Sequence, residues 1–329
     1  MPISRRHILA AMGYAALSWP LATRAQKAPA IARVGYLSVG SAQTNAAFLG
    51  ALKDALRDLG YVEGKNITFD VEWAGGRTYE FPKLAASLVK WKPDAIVTTC
   101  IPSTKAAKQA TGIIPVVMSV DGDPVASGVV ASLAHPGANV TGSSTLFELL
   151  IPKWLELILQ ATPQAKRIAM LRNPENAVDP YFWALSEAAA KRAGVTVVPV
   201  EASVRADLGG AFAEMKKQNA DALIVMTEAF IAGQADLIVP LAERYRLPAI
   251  YGFREFAEAG GLMSYGLSYR DYFKGVARYV DAVLKGTKPA DLPVEQPTKI
   301  ELVVNRPAAH KLGLKLSPQL LARADRVIE

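Results

Sequence analysis

The chain has 329 residues, of which 51% are hydrophobic and 20% charged, and its formal net charge is +7. This length allows two domains with full cores, and the composition excludes a disordered chain and a polytopic membrane protein. Three arginines lie in residues 1–25, which contain no acid, so the remaining chain carries only +4. This small excess, spread over about 300 residues, does not indicate a nucleic-acid-binding protein.

The N-terminus has the pattern of an export signal. Arg5-Arg6 precedes the apolar run Ile8–Leu21, and small residues precede a cleavage point after Ala25. The run is too short to cross a bilayer, which needs about 20 apolar residues. Residues 1–25 therefore predict a signal peptide, in which Ser4–Leu9 resembles a twin-arginine motif. No other segment is apolar enough to span a membrane, and we expect the mature protein in the periplasm.

The first half of the chain alternates strands and helices. Ile31–Ser38 is a continuous apolar run, which is typical of a strand buried on both faces. The elements that follow are a helix lined by Phe48, Leu52, Leu56 and Leu59, strand Ile67–Trp73, a helix marked by Leu84, Leu88 and Trp91, strand Asp94–Thr99, a helix through Ala110 and strand Pro115–Val120. This order predicts a parallel sheet with helices on both faces.

The second half repeats this plan. Its predicted elements are strand Arg167–Leu171, helix Tyr181–Ala193, strand Val195–Val200, helix Leu208–Gln218, strand Asp221–Met226, helix Gln234–Tyr245 and strand Pro248–Tyr251. The sequence therefore predicts an α/β protein with two similar, doubly wound parallel-sheet lobes. In such folds ligands bind beyond the carboxyl ends of the strands, here in the groove between the lobes.

Several segments are predicted to cross between the lobes and to form a multi-strand hinge. Asp123-Pro124 has the residues that cap and begin a helix, and Val140–Ser144 is predicted to be the first crossing strand. The tail supplies strands Gly260–Gly266 and Lys299–Val304, a helix over Tyr272–Leu284, and two short helices near Pro307–Leu312 and Pro318–Val327. We assign residues 26–142 and about 267–297 to the first lobe, and about 143–266 and about 298–329 to the second.

The histidine and cysteine content excludes several chemistries. After removal of the signal peptide only His135 and His310 remain, and Cys100 is the sole cysteine. The chain therefore has no internal disulfide and no Cys/His cluster for a transition metal. It has neither a G-x-S-x-G elbow nor a G-x-G-x-x-G after the first strand. We expect no catalytic residues, no metal and no cofactor.

Five segments carry a resemblance to a known family. They are Leu59–Asn66, Asp123–Val125, Pro136–Gly142, Gly260–Gly266 and Leu284–Pro297. Taken together they resemble the ABC transporter substrate-binding proteins of the tryptophan/tyrosine-binding type. The resemblance implies a type I periplasmic-binding fold, and we expect a monomer. It also implies that a small solute is captured in the cleft and delivered to a membrane permease with its ATPase.

One position departs from that family. Relatives often have an aromatic residue before Asn-Pro at the end of the first strand of the second lobe, and this chain has Arg172-Asn173-Pro174. A cation there favours a carboxylate-bearing ligand, either an amino acid, aromatic ones included, or an organic acid. The alternative is that Arg172 points to solvent at the rim of the cleft.

The loops after the strand ends predict the site. Ser103-Thr104 at a helix start can bind a carboxylate, while Asp121 or Glu228 can bind a cation and Asp123 serves as a cap. Phe253 and Tyr265 can stack on a ring, whereas Tyr36 fits the core better. The predicted ligand-binding set is Ser38, Gly40, Ser41, Ile101, Ser103, Thr104, Asp121, Arg172, Asn173, Thr227, Glu228, Phe253 and Tyr265.

Two other functions remain compatible with the sequence. A module that reports ligand occupancy to a membrane receptor would have the same pattern. An exported enzyme on the same fold would need an acid/base pair in the cleft, which Asp121 and Glu228 could supply. Neighbouring genes for a permease and an ATPase, or for a sensor kinase, would discriminate between transport and sensing.

Overall fold

A computed structural model describes residues 31–43, 45–145, 147–175, 179–297 and 299–329. The side chains of Val120, Asp121, Glu148 and Ala229 lie outside this description. The predicted signal peptide, residues 1–25, also lies outside it. Within the described ranges, no helix combines the length and the apolar character that a membrane crossing requires.

The first sheet has five parallel strands in the order β2-β1-β3-β4-β5. Its strands β1 and β3 are buried and mostly apolar, which is typical of strands covered by helices on both faces. Val34–Ser38 and all of Ala95–Thr98 are buried. The strands are β1 (Ala32–Ser38), β2 (Ile67–Trp73), β3 (Ala95–Thr98), β4 (Val116–Asp121) and β5 (Val140–Thr145).

The second sheet has seven strands in the order β12-β11-β10-β9-β8-β6-β7. The five strands from β7 to β10 run parallel, β11 pairs antiparallel with β10, and β12 pairs parallel with β11. The strands are β6 (Arg167–Arg172), β7 (Thr196–Glu201), β8 (Ala222–Val225), β9 (Ala249–Phe253), β10 (Met263–Leu267), β11 (Glu301–Asn305) and β12 (Arg326–Ile328).

Helices connect most of the parallel strands, since neighbouring parallel strands need a long crossover connection. Short 3₁₀ turns span Thr78–Glu80, Phe147–Leu150 and Pro289–Asp291. The α-helices are α1 (Ala46–Asp58), α2 (Phe81–Trp91), α3 (Ile101–Ala110), α4 (Ile151–Ala161), α5 (Asp179–Ala193), α6 (Asp207–Lys217), α7 (Ala229–Ala232), α8 (Ala235–Arg244), α9 (Arg254–Glu258), α10 (Tyr269–Leu284), α11 (Arg306–Leu312) and α12 (Pro318–Arg323).

The chain passes more than once between the two sheets. It leaves the first sheet after β5 and returns after β10, because the apolar face of α10 shares a core with β1 and α1 through Phe273, Val276 and Val280. It then passes back to the second sheet before β11. The predicted architecture of two parallel-sheet α/β lobes is thus confirmed.

Two local predictions were wrong. Asp123-Pro124 begins a turn and not a helix: Asp123 Oδ1 accepts hydrogen bonds from the N–H groups of Val125 (2.8 Å) and Ala126 (3.0 Å), and Gly128 with φ +74° ends the turn. The last predicted helix stops at Arg323, because the chain then becomes extended to pair with β11 as β12.

Candidate ligand-binding site

A cavity of about 220 Å³ lies at the carboxyl ends of the strands of both sheets, and we call it the cleft cavity. Strand ends in a parallel sheet present loops and helix starts on one edge, so both lobes supply wall residues there. The first lobe supplies Gly40, Ser41, Asn45, Thr99, Cys100 and Ser119. The second lobe supplies Asn173, Ser203, Glu228, Phe230 and Phe253.

Aromatic rings form one part of this wall. Phe253 lies edge-to-face with Phe147 (centroids 5.6 Å apart), with Tyr269 (5.9 Å) and with Phe48 on α1 (6.1 Å). This arrangement is favourable for aromatic quadrupoles. Tyr272 also lines the cavity, and its hydroxyl donates to Ser143 O at 3.1 Å. The cluster is therefore a fixed apolar surface to which both lobes and the connecting segments contribute.

A hydrogen-bonded carboxylate forms another part of the wall. Glu228 is only 9% exposed, and its Oε1 accepts from the N–H of Ile231 at 2.7 Å. Its Oε2 accepts from Asn173 Nδ2 at 3.3 Å, and Asn173 Oδ1 accepts from Ser203 Oγ at 3.0 Å. These bonds orient Glu228 and Asn173 together at the carboxyl ends of β6 and β8.

The charged side chains among the described wall residues are all acidic. Among the described residues that line the cleft cavity, Glu175 and Glu228 are acidic and no residue is Lys, Arg or His.

The two lobes approach each other at the edge of the cavity. Gly76 has φ +82°, and a Cβ at this position would lie 2.8 Å from Glu175 Oε2 of the second lobe. Gly76 is held by its N–H, which donates to Val39 O at 2.7 Å, and Gly75 N donates to Gly40 O at 2.9 Å. A glycine at position 76 therefore lets the exposed Glu175 side chain come close to the first lobe.

Arg172 is paired within its own lobe. Its Nε donates to Asp179 Oδ1 at 3.0 Å, its Nη2 donates to Asp179 Oδ2, and its guanidinium lies 5.2 Å from the centroid of Trp183. Burial raises the pKa of the Asp179 carboxyl, while Arg172 acts in the opposite direction. Arg172 does not line the cleft cavity. The pair instead closes the loop that carries Asn173 and Glu175.

The structure brings together only part of the predicted site. The cleft cavity is lined by Gly40, Ser41, Ile101, Asn173, Glu228 and Phe253. It is not lined by Ser38, Ser103, Thr104, Arg172, Thr227 and Tyr265. The Ser103 and Thr104 hydroxyls, predicted to bind a carboxylate, donate instead to Cys100 O at 2.8 and 2.9 Å. The side chain of Asp121 lies outside the described part.

Sequence reasoning missed several wall residues. Phe48, Tyr269 and Tyr272 lie at helix starts, where helical periodicity assigns an aromatic to the core. Phe147 lies in the 3₁₀ turn just after β5. Asn45 could have been found, because an Asn directly before a predicted helix is a signal for a helix start near the strand ends. Among the described residues, no group of three His, Cys, Asp or Glu side chains could hold a metal ion.

Comparison with known proteins identifies the family. The model of the ABC transporter substrate binding protein family matches residues 39–328. The chain belongs to this family. The resemblance carried by the five sequence segments is thereby confirmed, and the small-molecule ligand and transporter partners that the family implies apply to this substrate-binding protein.

Individual relatives agree with this assignment. A tyrosine-binding protein of Clostridioides difficile is 29% identical over 261 residues, covering 79% of this chain and 75% of the relative. A conserved domain protein of Vibrio cholerae has 30% identity and a TM-score of 0.72, over 90% of this chain and 99% of the other. An ABC domain from Streptococcus pneumoniae in complex with L-Trp has 26% identity and a TM-score of 0.70, with the same coverage.

Proposed function

We propose that this chain is the solute-binding component of an ABC importer, exported to the periplasm by residues 1–25, and that it binds an aromatic amino acid or a closely related aromatic amine. The observation that carries the proposal is the cleft cavity, in which an aromatic wall and a buried carboxylate occur together. In this proposal the first lobe comprises residues 26–142 and about 267–297, and the second about 143–266 and about 298–329.

The aromatic wall supports a ligand with a ring. Ligand sites are concave and mostly apolar with a few placed polar groups, and the wall around Phe253 together with Asn173 and Glu228 has this composition. The tyrosine-binding relative and the neighbour in complex with L-Trp support the same ligand class. Because α10 contributes Tyr269 and Tyr272 at a connection between the lobes, a ring bound there would favour the closed arrangement of the lobes.

The part of the sequence-based prediction that specified a carboxylate needs a different physical basis. Arg172, on which that prediction rested together with Ser103-Thr104, is paired with Asp179, and the two hydroxyls donate to Cys100 O. A carboxylate on the ligand would therefore be met by neutral hydrogen-bond donors of the cavity wall and not by a cation. Such contacts lack the charge complementarity of a guanidinium.

The test is a ligand screen of the mature protein from residue 26 onward. Thermal-shift measurements against the standard amino acids should show the largest increase in Tm with an aromatic amino acid, since a ligand that binds the folded state stabilises it. A strain lacking the protein should lose uptake of the same compound. If the hit is chemically changed by the purified protein, the enzyme alternative replaces this proposal. If uptake is unaffected, the sensor alternative replaces it.

A further inference from the structure

We infer that Trp154, together with a bulge between β9 and β10, determines how large an aromatic ring the cleft cavity accepts. Trp154 does not line the cavity, so it is a positioning residue that acts through Phe253. This inference rests on the proposed function in taking the ring of the ligand to lie against Phe253. It adds a selectivity for ring size, which the family assignment leaves open.

Strands β9 and β10 lose their regular pairing at the ends that face the cleft cavity. The register shifts between Ser264 and Leu267, so that Leu267 pairs with Phe253. Tyr265 and Gly266 therefore both oppose a single residue of β9, which makes a β-bulge. Because of the extra residue, Leu267 lies beside Phe253, and both residues line the cavity.

The bulge needs glycine on both strands because other groups occupy the space of a side chain. A Cβ on Gly266 would overlap the backbone oxygen of Gly252. A Cβ on Gly252 would overlap Thr227 Cγ2 and would lie 2.9 Å from Trp154 Cζ2. Glycine in a strand is typical of such a close approach. The backbone at Gly252 is thus in contact with Thr227 and Trp154, with no free space between them.

Trp154 on α4 supports the bulge from the core of the second lobe. Its side chain is buried, and its Nε1 donates to Tyr265 O, a carbonyl of the bulge, at 2.6 Å. Phe253 directly follows Gly252, and neighbouring residues of a strand point to opposite faces of the sheet. The indole of Trp154 therefore lies behind the backbone that carries Phe253 into the cavity.

A change of volume at Trp154 should accordingly reach the wall of the cavity. A smaller side chain leaves space next to Gly252, and a packed core relaxes partly into such a space. The backbone at Gly252 would move toward α4 and draw Phe253 and Leu267 away from the ligand. The site would then be wider, which favours an indole ring over the smaller phenol ring.

The experiment measures the affinities of L-tyrosine and L-tryptophan for the mature protein by isothermal titration calorimetry. The quantity compared between variants is the ratio of the two dissociation constants. Trp154→Phe removes the N–H donor and part of the volume but keeps an aromatic ring in the core. We expect it to shift the ratio in favour of L-tryptophan by about fivefold or more, since small changes of pocket volume discriminate ligands to at least this extent.

A second variant makes a smaller change at the same place. Thr227→Ser removes only the methyl group that lies against Gly252 and keeps the hydroxyl group, so it should fold even if Trp154→Phe does not. We expect a shift in the same direction of about two- to threefold. The matched control is Met215→Ala, which truncates a buried residue on α6 of the same lobe that does not line the cavity.

The control separates ring selectivity from a loss of stability. Met215→Ala destabilises the second lobe but leaves the bulge unchanged, so the ratio should stay within about 1.5-fold of the wild-type value. If wild-type protein binds the aromatic amino acids and neither test variant shifts the ratio beyond the control, the inference is overturned and the proposed function stands. A shift in favour of L-tyrosine would also overturn it. If wild-type protein binds neither amino acid, the proposed function fails and the inference fails with it.

Discussion

Two cavities in the described part of the chain have walls that differ in how their charges are used. The cleft cavity has about 220 Å³, and a second cavity of about 320 Å³ is lined by Ser143, Leu267, Ser268, Gln296 and Pro297, which belong to the segments that connect the lobes. We call the second one the hinge cavity.

The charges of the hinge cavity neutralise one another. Arg254 pairs with Asp271 (3.1 Å) and Glu301 (3.2 Å), Lys299 pairs with Glu301 (2.8 Å), and Arg278 lies 3.4 Å from Glu295. In the cleft cavity the acids have no cation among the described lining residues. The aromatic wall therefore distinguishes the cleft cavity from the hinge cavity, whose lining is charged and internally paired. Substitutions in the two cavities should accordingly have different effects on stability and on ligand affinity.

The largest loss of stability and of ligand affinity is expected for Phe253→Ala. Phe253 is buried against Phe48, Phe147 and Tyr269, so truncation should lower the free energy of unfolding by about 3–5 kcal/mol and abolish ligand binding. Phe253→Leu keeps most of the volume and should restore stability but not affinity. Urea denaturation and calorimetry measure the two properties separately. Full affinity in Phe253→Leu would show that the ring does not contact the ligand.

Arg172→Ala should lower stability more than affinity. It leaves the buried Asp179 carboxyl without its cation, which should cost roughly 2–3 kcal/mol near neutral pH. Because burial already raises the pKa of Asp179 and Arg172 opposes this, the variant's folded-state pKa should rise further. An acid with a raised folded-state pKa costs stability while ionised, so the loss should shrink as pH falls through that pKa.

Urea denaturation near neutral pH and at about pH 4 checks this pH dependence of the stability loss. The control is Asp179→Asn in the Arg172→Ala background. The double variant has no carboxyl to ionise, so its difference from wild type should depend less on pH. A loss of affinity in Arg172→Ala of a hundredfold or more, with stability unchanged, would mean that Arg172 contacts the ligand after all.

Gly76→Ala should have a smaller effect that is specific to the cleft. The new Cβ displaces the Glu175 carboxylate, and because that side chain is exposed and flexible, ligand affinity should fall only about threefold, or roughly 0.6 kcal/mol. Gly75→Ala is the matched control, since φ is also positive at +57° but nothing lies within 4 Å of its Cβ position. Glu175→Ala in the Gly76→Ala background should lower affinity no further than Glu175→Ala alone. Equal losses in both glycine variants would attribute the effect to backbone strain alone.

The smallest change in stability and ligand affinity is expected for a substitution in the hinge cavity. The hydrogen bond from Lys299, followed by that from Arg254, lowers the pKa of Glu301. A lowered pKa contributes stability that is present above the ordinary carboxyl range and lost as pH falls through the folded-state value. Lys299→Met should therefore slightly lower Tm near neutral pH, flatten the acid side of the Tm profile, and leave ligand affinity within twofold. A larger change in affinity would identify the hinge cavity as part of the ligand site.

The sequence predicted the parts of the fold that depend on local patterns. Apolar runs such as Ile31–Ser38 located the strands, and strand-end loops located Asn173, Glu228 and Phe253. The direction of a side chain was not predictable in the same way. Arg172 turns toward Asp179 because a carboxyl seven residues later is buried beside it, and Phe48 and Tyr269 reach the cavity because α1 and α10 pack together. Both depend on contacts between segments, which periodicity does not report.

The most direct test of the account is a crystal structure of the mature protein with the aromatic amino acid that raises its Tm most. We predict that the ring of the ligand lies against Phe253 in the cleft cavity, with the hinge cavity holding no ligand. A structure in which the amino acid occupies the hinge cavity, or in which its ring lies away from Phe253, would contradict the account.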